Sequence, residues 1–266
     1  MRLRPTLLAI IALITTTVLT GQVLPIPYAH AHNDYRHRRP LLDALANGFT
    51  SVEADVHLID GELYVSHGRP WRKHKKRTLK ALYLNPLQEI VQANGGVVYK
   101  GYEGPFYLMI DIKTDAEATY KVLKEQLAGY RQILVSYQND AKNPGAVTVF
   151  LSGNRPFAAV AADSNRLAAL DGRPGELGQG YPPGLMPVVS DSYSKYFHWD
   201  GTGSMPQEER QRLQALAQRA KAEGKLLRLW GSPQTETAWR AFLDAGLGLL
   251  NTDKLARLKD FSQQLQ

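Results

Sequence analysis

After residue 22 the chain alternates two patterns. Short runs carry apolar side chains continuously or at every second position. Longer stretches repeat them every three to four residues. The short runs predict strands at 28–32, 50–57, 106–112, 146–152, 166–170, 186–190, 225–230 and 248–251. The longer ones predict helices at 39–47, 86–94, 115–130, 206–223, 235–245 and 253–264. The helix at 206–223 opens on SMPQEER, where Ser204 is placed to cap, Pro206 suits the first turn and the acids favour a helix start. Asp253 reads in the same way, as the cap of the last helix. Strands alternating with helices argue for a parallel sheet covered by helices. These strands, in one domain over 23–266, fit a (β/α)8 TIM barrel. An open doubly wound sheet is the alternative, but no G-x-G-x-x-G or other glycine-rich phosphate loop accompanies it.

The start of the chain departs from this pattern. Arg2 and Arg4 precede an apolar run from Leu7 to Leu19, and small residues follow, so residues 1–22 read as a signal peptide and the protein as exported, periplasmic or secreted. The run is short for a membrane span, which needs about 20 residues; an uncleaved N-terminal anchor is the alternative. No cysteine occurs, which excludes disulfides, thiolate zinc sites and a cysteine nucleophile. A hydrophobic fraction of 44% with 21% charged residues suits a globular domain. The net charge is +7, and seven lysines and arginines fall in RPWRKHKKRTLK, residues 69–80. Such a run reads as a solvated loop or as a basic lip for anionic substrates and lipid surfaces. No recognition module accompanies it, so nucleic acid is not an expected partner.

The chemistry begins with FTSVEADVHLIDGELYVSHGRP, residues 49–70. In a strand alternate residues share a face, so Val52, Ala54 and Val56 point one way and Glu53 and Asp55 the other. Paired carboxylates on a buried strand need compensation, and a hard divalent cation with oxygen ligands supplies it. A solvated edge strand would also explain them. Asp60-Gly61 marks a tight turn, and the returning run ends on His67, back beside the carboxylates. FYLMIDIKTD repeats the anomaly. Asp111 offers a third oxygen ligand and Lys113 a cation suited to phosphate, unless the two form only a local ion pair. YAHAHNDYRHRRP, residues 28–40, ends the first strand near His32. Strand C-termini converge at one pole of a barrel, where active sites lie. His32 and His67 would then flank the cation as an acid–base pair, with His30 a competitor for the first position. Asn33, Arg155, Arg228 and Trp230 are candidate substrate contacts at the same mouth, Arg228 and Trp230 sharing one strand face. His37, His74 and His198 read as exposed.

Taken together, His-Asn, E-x-D, a hairpin ending in His-Gly and D-I-K resemble the glycerophosphodiester phosphodiesterase and PI-phospholipase-C-like superfamily. HAHNDY, LSGNRP and LRLWGSP…LLNTDKL look closer to a bacterial branch related to the fungal altered-inheritance-of-mitochondria protein 6. HGRP and DIKT are similar to sphingomyelinase-D-like phospholipases. The resemblance covers residues 28–262. It implies a TIM barrel, one Mg2+ or Ca2+ ion on Glu53, Asp55 and Asp111, and catalysis by His32 and His67 with Lys113. Many glycerophosphodiesterases carry His-Arg-Gly where this chain has His32-Asn33-Asp34, and a glutamate at Asp111. The missing arginine bears on glycerol recognition. The expected activity is metal-dependent hydrolysis of glycerophosphodiester or phospholipid-type substrates. No serine or threonine stands beside a histidine as an enzyme nucleophile, so attack falls to water or to a hydroxyl of the substrate, the latter giving a cyclic phosphate. A barrel that binds phosphorylated ligands or anionic lipid without turnover is the alternative.

Overall fold

The computed structural model describes residues 23–139 and 141–265. The expected signal peptide over 1–22 lies outside them. The strands are β1 (Ile26–Ala31), β2 (Phe49–Ile59), β3 (Glu62–Val65), β4 (Phe106–Ile112), β5 (Ser136–Gln138), β6 (Ala141–Asn143), β7 (Val147–Gly153), β8 (Asn165–Arg166), β9 (Ala169–Gly172), β10 (Val188–Ser192), β11 (Leu226–Trp230) and β12 (Leu250–Thr252). The helices are α1 (Leu42–Ala46), α2 (Asn85–Ala93), α3 (Ala116–Ala128), α4 (Phe157–Ala162), α5 (Gln207–Ala222), α6 (Glu236–Asp244) and α7 (Leu255–Gln263).

Eight of the strands pair in the order β11-β10-β9-β7-β4-β2-β1-β12, every pairing along that path parallel. A parallel bridge between Arg228 and Leu249 joins the two ends, with the Gly248 and Leu249 N–H groups both donating to the Leu227 carbonyl at 3.0 Å. The protein is therefore a (β/α)8 TIM barrel. The outward faces, with Val52, Ala54 and Val56 on β2, pack under the helices in one large core. Inside the barrel a separate cluster of Met109, Phe150, Ala169, Val188 and Leu249 is buried. That plug fills the interior and leaves polar side chains for the strand C-termini.

All eight expected barrel strands form, with shifted ends. The run at 166–170 is displaced: the barrel strand is β9, and Asn165–Arg166 pairs instead in a small sheet of order β6-β5-β8. Helix α4 was not expected, because FAAVAA is too short to show a helical period. Two capping assignments are corrected. Helix α5 starts with Pro206 in the cap position and no side-chain bond, so Ser204 does not cap it. Lys254, not Asp253, precedes α7; Asp253 is occupied elsewhere.

Candidate active site

Glu53 and Asp55 enter the barrel from β2, with Asp111 beside Asp55 on β4 in register. One oxygen from each of the three lies within 4.8 Å of the others. Glu53 and Asp55 are 4% and 1% exposed. Burial works against the Glu53 charge, but the Arg228 guanidinium at 3.0 Å and a bond from His30 outweigh it and hold the carboxyl down at about 2. Asp111 goes the other way, pushed up to about 6 by burial and by the neighbouring charges of Asp55 and Glu53, against the pull of Lys113. Lys113 Nζ lies 3.0 Å from Asp111 Oδ1 and 3.2 Å from Asp55 Oδ2. Burial disfavours its charge, but the two carboxylates more than offset that and its pKa rises.

His32 follows β1 at the mouth, its N–H bonded to the Thr252 carbonyl at 3.0 Å. Its Nδ1 is 3.0 Å from Asp253 Oδ1, and its Nε2 is 4.0 Å from Glu53 Oε2. Burial opposes the Asp253 charge, but bonds from His32 and Gln234 hold its carboxyl well below the usual range. An ionised carboxylate only accepts hydrogen bonds, so Asp253 favours the tautomer with the proton on Nδ1 and Nε2 free to take one, while the Asn33 amide nitrogen lies 2.9 Å from Nδ1 and 3.2 Å from Nε2. Sequence reading gave Asp253 the wrong role because it sits directly before a helix, where acids commonly cap. Its partner in the fold lies 221 positions away.

His67 stands after the β2–β3 hairpin, whose Asp60-Gly61 turn has both residues at positive φ. Its side chain is 62% exposed, with Nδ1 at 3.0 Å from Asp55 Oδ2. Two residues that sequence reasoning missed hold this region. The Tyr35 hydroxyl is 2.8 Å from Asp55 Oδ2, 2.6 Å from Asn33 Oδ1 and 3.3 Å from His67 Nδ1. His57, buried on the face of β2 that carries Asp55, has Nε2 3.2 Å from the His67 carbonyl. The HNDY run was the available signal for Tyr35, and period two along β2 for His57.

These donors fit a hard cation. Asp55 Oδ1 is buried and has no hydrogen-bond partner among the described residues, while Oδ2 carries Tyr35, His67 and Lys113. An unpartnered carboxylate oxygen on a residue clustered with two further carboxylates is the arrangement that oxygen-ligated ions take. Gly153 at the end of β7, in the LSGN run, has φ +66, and a Cβ there would collide with Asp111 Oδ1. The close approach of Asp111 to β7 therefore requires glycine.

The remaining candidates divide. His30 is fully buried against Ser51 and Glu53, and burial with the nearby Arg228 charge lowers its pKa to about 3, so it stays neutral and away from the mouth. Asn33, in a left-handed conformation, links Tyr35 to Asp253 and so connects the two histidines' partners. Trp230 is 42% exposed at the end of β11. Arg228 is 2% exposed and spends Nη2 on Glu53 and Nε on Asn251, so it is a buried counter-charge and not an open phosphate clasp. Arg155 is likewise committed: Glu176 takes both Nη atoms at 2.9 and 3.1 Å, and the Asp171 carbonyl takes Nη1 as well. His37 is half-buried, contrary to expectation, whereas His74 and His198 are exposed.

Residues 17–170 match the AIM6-like phosphodiesterase domain family. Altered inheritance of mitochondria protein 6 of Saccharomyces cerevisiae is 32% identical over 89% of this chain and 71% of its own length. The protein of that name from Lachancea thermotolerans is 30% identical over 89% of this chain and 66% of its own length. Both relatives are fungal and bear on the family, not on a bacterial branch of it. Among solved structures, a glycerophosphodiester phosphodiesterase from Parabacteroides distasonis superposes with a TM-score of 0.50 at 13% identity, covering 92% of this chain and all of that one. That likeness concerns the fold.

Proposed function

The chain belongs to the AIM6-like phosphodiesterase domain family, and on that premise we propose that it is a metal-dependent phosphoric diester hydrolase acting on glycerophosphodiester or phospholipid-type substrates. One observation carries the reading. Two histidines, each with Nδ1 on a carboxylate, stand at one barrel mouth around a three-carboxylate cluster and a lysine.

Glu53, Asp55 and Asp111 would hold a divalent cation, Mg2+ or Ca2+, which when bound supplies charge stabilisation to phosphoryl oxygens. Lys113 adds a fixed positive charge for the same oxygens. Asp253 keeps the proton of His32 on Nδ1, so Nε2 faces the mouth as a base toward the attacking hydroxyl. Asp55 holds His67 through Nδ1, so its other nitrogen is directed outward, placed to protonate the leaving oxygen. The roles reverse in a second step, in which His67 takes a proton from the attacking water and His32 gives its proton to the departing hydroxyl oxygen, so that both imidazoles return to their starting states. A substrate with a vicinal hydroxyl would give a cyclic phosphate first, because a tethered nucleophile loses little translational freedom.

Turnover of bis(p-nitrophenyl) phosphate with added Mg2+ or Ca2+, abolished by a chelator, is the expected result. Phosphorus NMR of the early reaction on a lysophospholipid should show the cyclic product. Full activity in chelator would overturn the reading. Cation and phosphate-ligand binding without any turnover would support instead a non-catalytic barrel. Export through residues 1–22 is also proposed, supported by their basic start and short apolar run. Intact mass of the protein recovered from its host tests it, and a cytosolic species beginning at Met1 would refute it.

A further inference from the structure

The large apolar side chains exposed on this molecule are unevenly placed. Among the described residues they are Val23, Leu24, Leu42, Trp71, Trp230 and Leu265. Val23 and Leu24 precede β1 at the opposite pole, and Leu265 ends the described chain. The other three lie on segments that follow strand C-termini: Leu42 after β1, Trp71 after the β2–β3 hairpin, Trp230 at the end of β11. They therefore belong to the pole that holds His32 and His67. Trp71 is the extreme case, 84% exposed, with the Arg72 guanidinium 4.2 Å from its ring centre.

Trp71 stands inside the basic run 69–80. Two of the seven cations there are neutralised, Lys73 by Asp60 and Lys80 by Glu62. Lys75 and Lys76 are exposed and have no ion-pair partner among the described residues. Arg77 is the tether: its Nη2 donates to the Tyr35 carbonyl at 3.1 Å, and the Tyr35 hydroxyl holds Asp55 beside His67. A cavity of about 290 Å3 opens under the run, bordered by Ser66, Gly68, Arg69, Trp71 and Arg77. The basic surface and the catalytic histidine thus share one support.

We propose that residues 69–77 dock the protein on an anionic lipid surface, with Lys75 and Lys76 against headgroup charge and Trp71 in the interface. The proposal rests on the phosphodiesterase reading for its purpose, which is to bring a membrane phosphodiester to His67. An outward indole flanked by cations suits a membrane boundary, where tryptophan settles at headgroup depth and each nearby cation adds attraction to anionic lipid. A nucleic-acid track would instead set cations along a groove with bases to stack; here they crowd one loop around one ring.

Vesicle sedimentation tests this with mixed phosphatidylcholine–phosphatidylglycerol vesicles against phosphatidylcholine alone. The full chain should partition to the anionic vesicles, less so as salt rises. The double variant Lys75→Glu, Lys76→Glu should partition more weakly by roughly two orders of magnitude or more, four charge units being removed at the surface. Lys75→Gln, Lys76→Gln should lose about tenfold, and Trp71→Ala severalfold. All three should keep wild-type turnover of bis(p-nitrophenyl) phosphate, since none touches the catalytic groups. Equal binding to both vesicle types, or reversal variants that partition like wild type, would overturn the docking. So would duplex DNA binding in the absence of vesicle binding. Anionic-vesicle binding by a protein that turns over no diester would leave the docking standing and defeat the catalytic reading alone.

Discussion

Two sets of buried carboxylate lie in the barrel, one on β9 and one on β2 and β4 with β7 between them, and they meet the cost of buried charge in different ways. On one wall Asp171, fully buried on β9, accepts Ser152 Oγ at 2.7 Å and Arg173 Nη1 at 3.0 Å on the same oxygen, with Ser190 a third donor. One negative charge meets one positive, and Asp171 Oδ1, like Asp55 Oδ1, has no hydrogen-bond partner among the described residues, so an unpartnered oxygen by itself does not mark an ion site. On the other wall Glu53, Asp55 and Asp111 face Arg228 and Lys113, three acids against two permanent cations, with His32 and His67 adding positive charge only when protonated. His30 does not correct the balance, because burial keeps it neutral. A buried acid alone is therefore no sign of an ion site. A cluster of acids that exceeds its permanent cations is, because an uncompensated buried charge is too costly to keep.

The largest effects should come from breaking that contrast. Asp55→Asn should remove nearly all diesterase turnover and weaken Mg2+ or Ca2+ binding, read by titration calorimetry. Asp171→Asn should leave cation affinity unchanged and cost about 1–3 kcal/mol of stability through its hydroxyl partners. Equal cation affinity in wild type and Asp55→Asn would remove the distinction between the walls.

Next come the histidines that only one wall carries. His32→Ala and His67→Ala should each lower kcat by about 10² or more, with thermal midpoints near wild type because both sit at the mouth. Inactivity confined to His30→Ala would move the assignment to the buried histidine.

Acids inside and outside the cation cluster should also separate by pH. Asp111 has its folded pKa raised from 3.8 to about 6. A raised acid binds more protons folded than unfolded, so in chelator its contribution to stability falls as pH rises from about 4 through about 6. Saturating cation should flatten that part of the curve. Asp34, buried and raised to about 7 by burial outside the cation cluster, produces a slope of the same sign that should persist with cation present. Denaturant titrations across pH, with and without cation, decide it; identical curves would count against ion binding at Asp111. The smallest effect is expected for Tyr35→Phe. Losing one hydroxyl bond to Asp55 should cost about 0.5–1.5 kcal/mol, a loss in kcat of about tenfold or less with the cation still bound.

The folding of this chain was legible where local pattern and tertiary environment agree. The alternation of short apolar runs with helical periods marks all eight barrel strands, and period two along EADVH places Glu53 and Asp55 on one face before any contact is known. The Asp60-Gly61 turn predicts the hairpin because positive φ at both positions leaves few alternatives. What stayed illegible depends on partners distant in sequence. Arg155 and Arg228 read as phosphate contacts until Glu176 and Glu53 are seen to hold them.

The sequence by itself thus determined the succession of the eight barrel strands, which strand faces carry acids, and which histidines fall at strand ends, since these follow from side-chain period and turn chemistry. Only the tertiary structure decided that Asp253 serves His32 and does not cap a helix, that Tyr35 joins Asp55 to Asn33, and that the acids on β2 and β4 outnumber their permanent cations. Those are facts of distance across the closed barrel, and closure brings together residues that no local pattern relates.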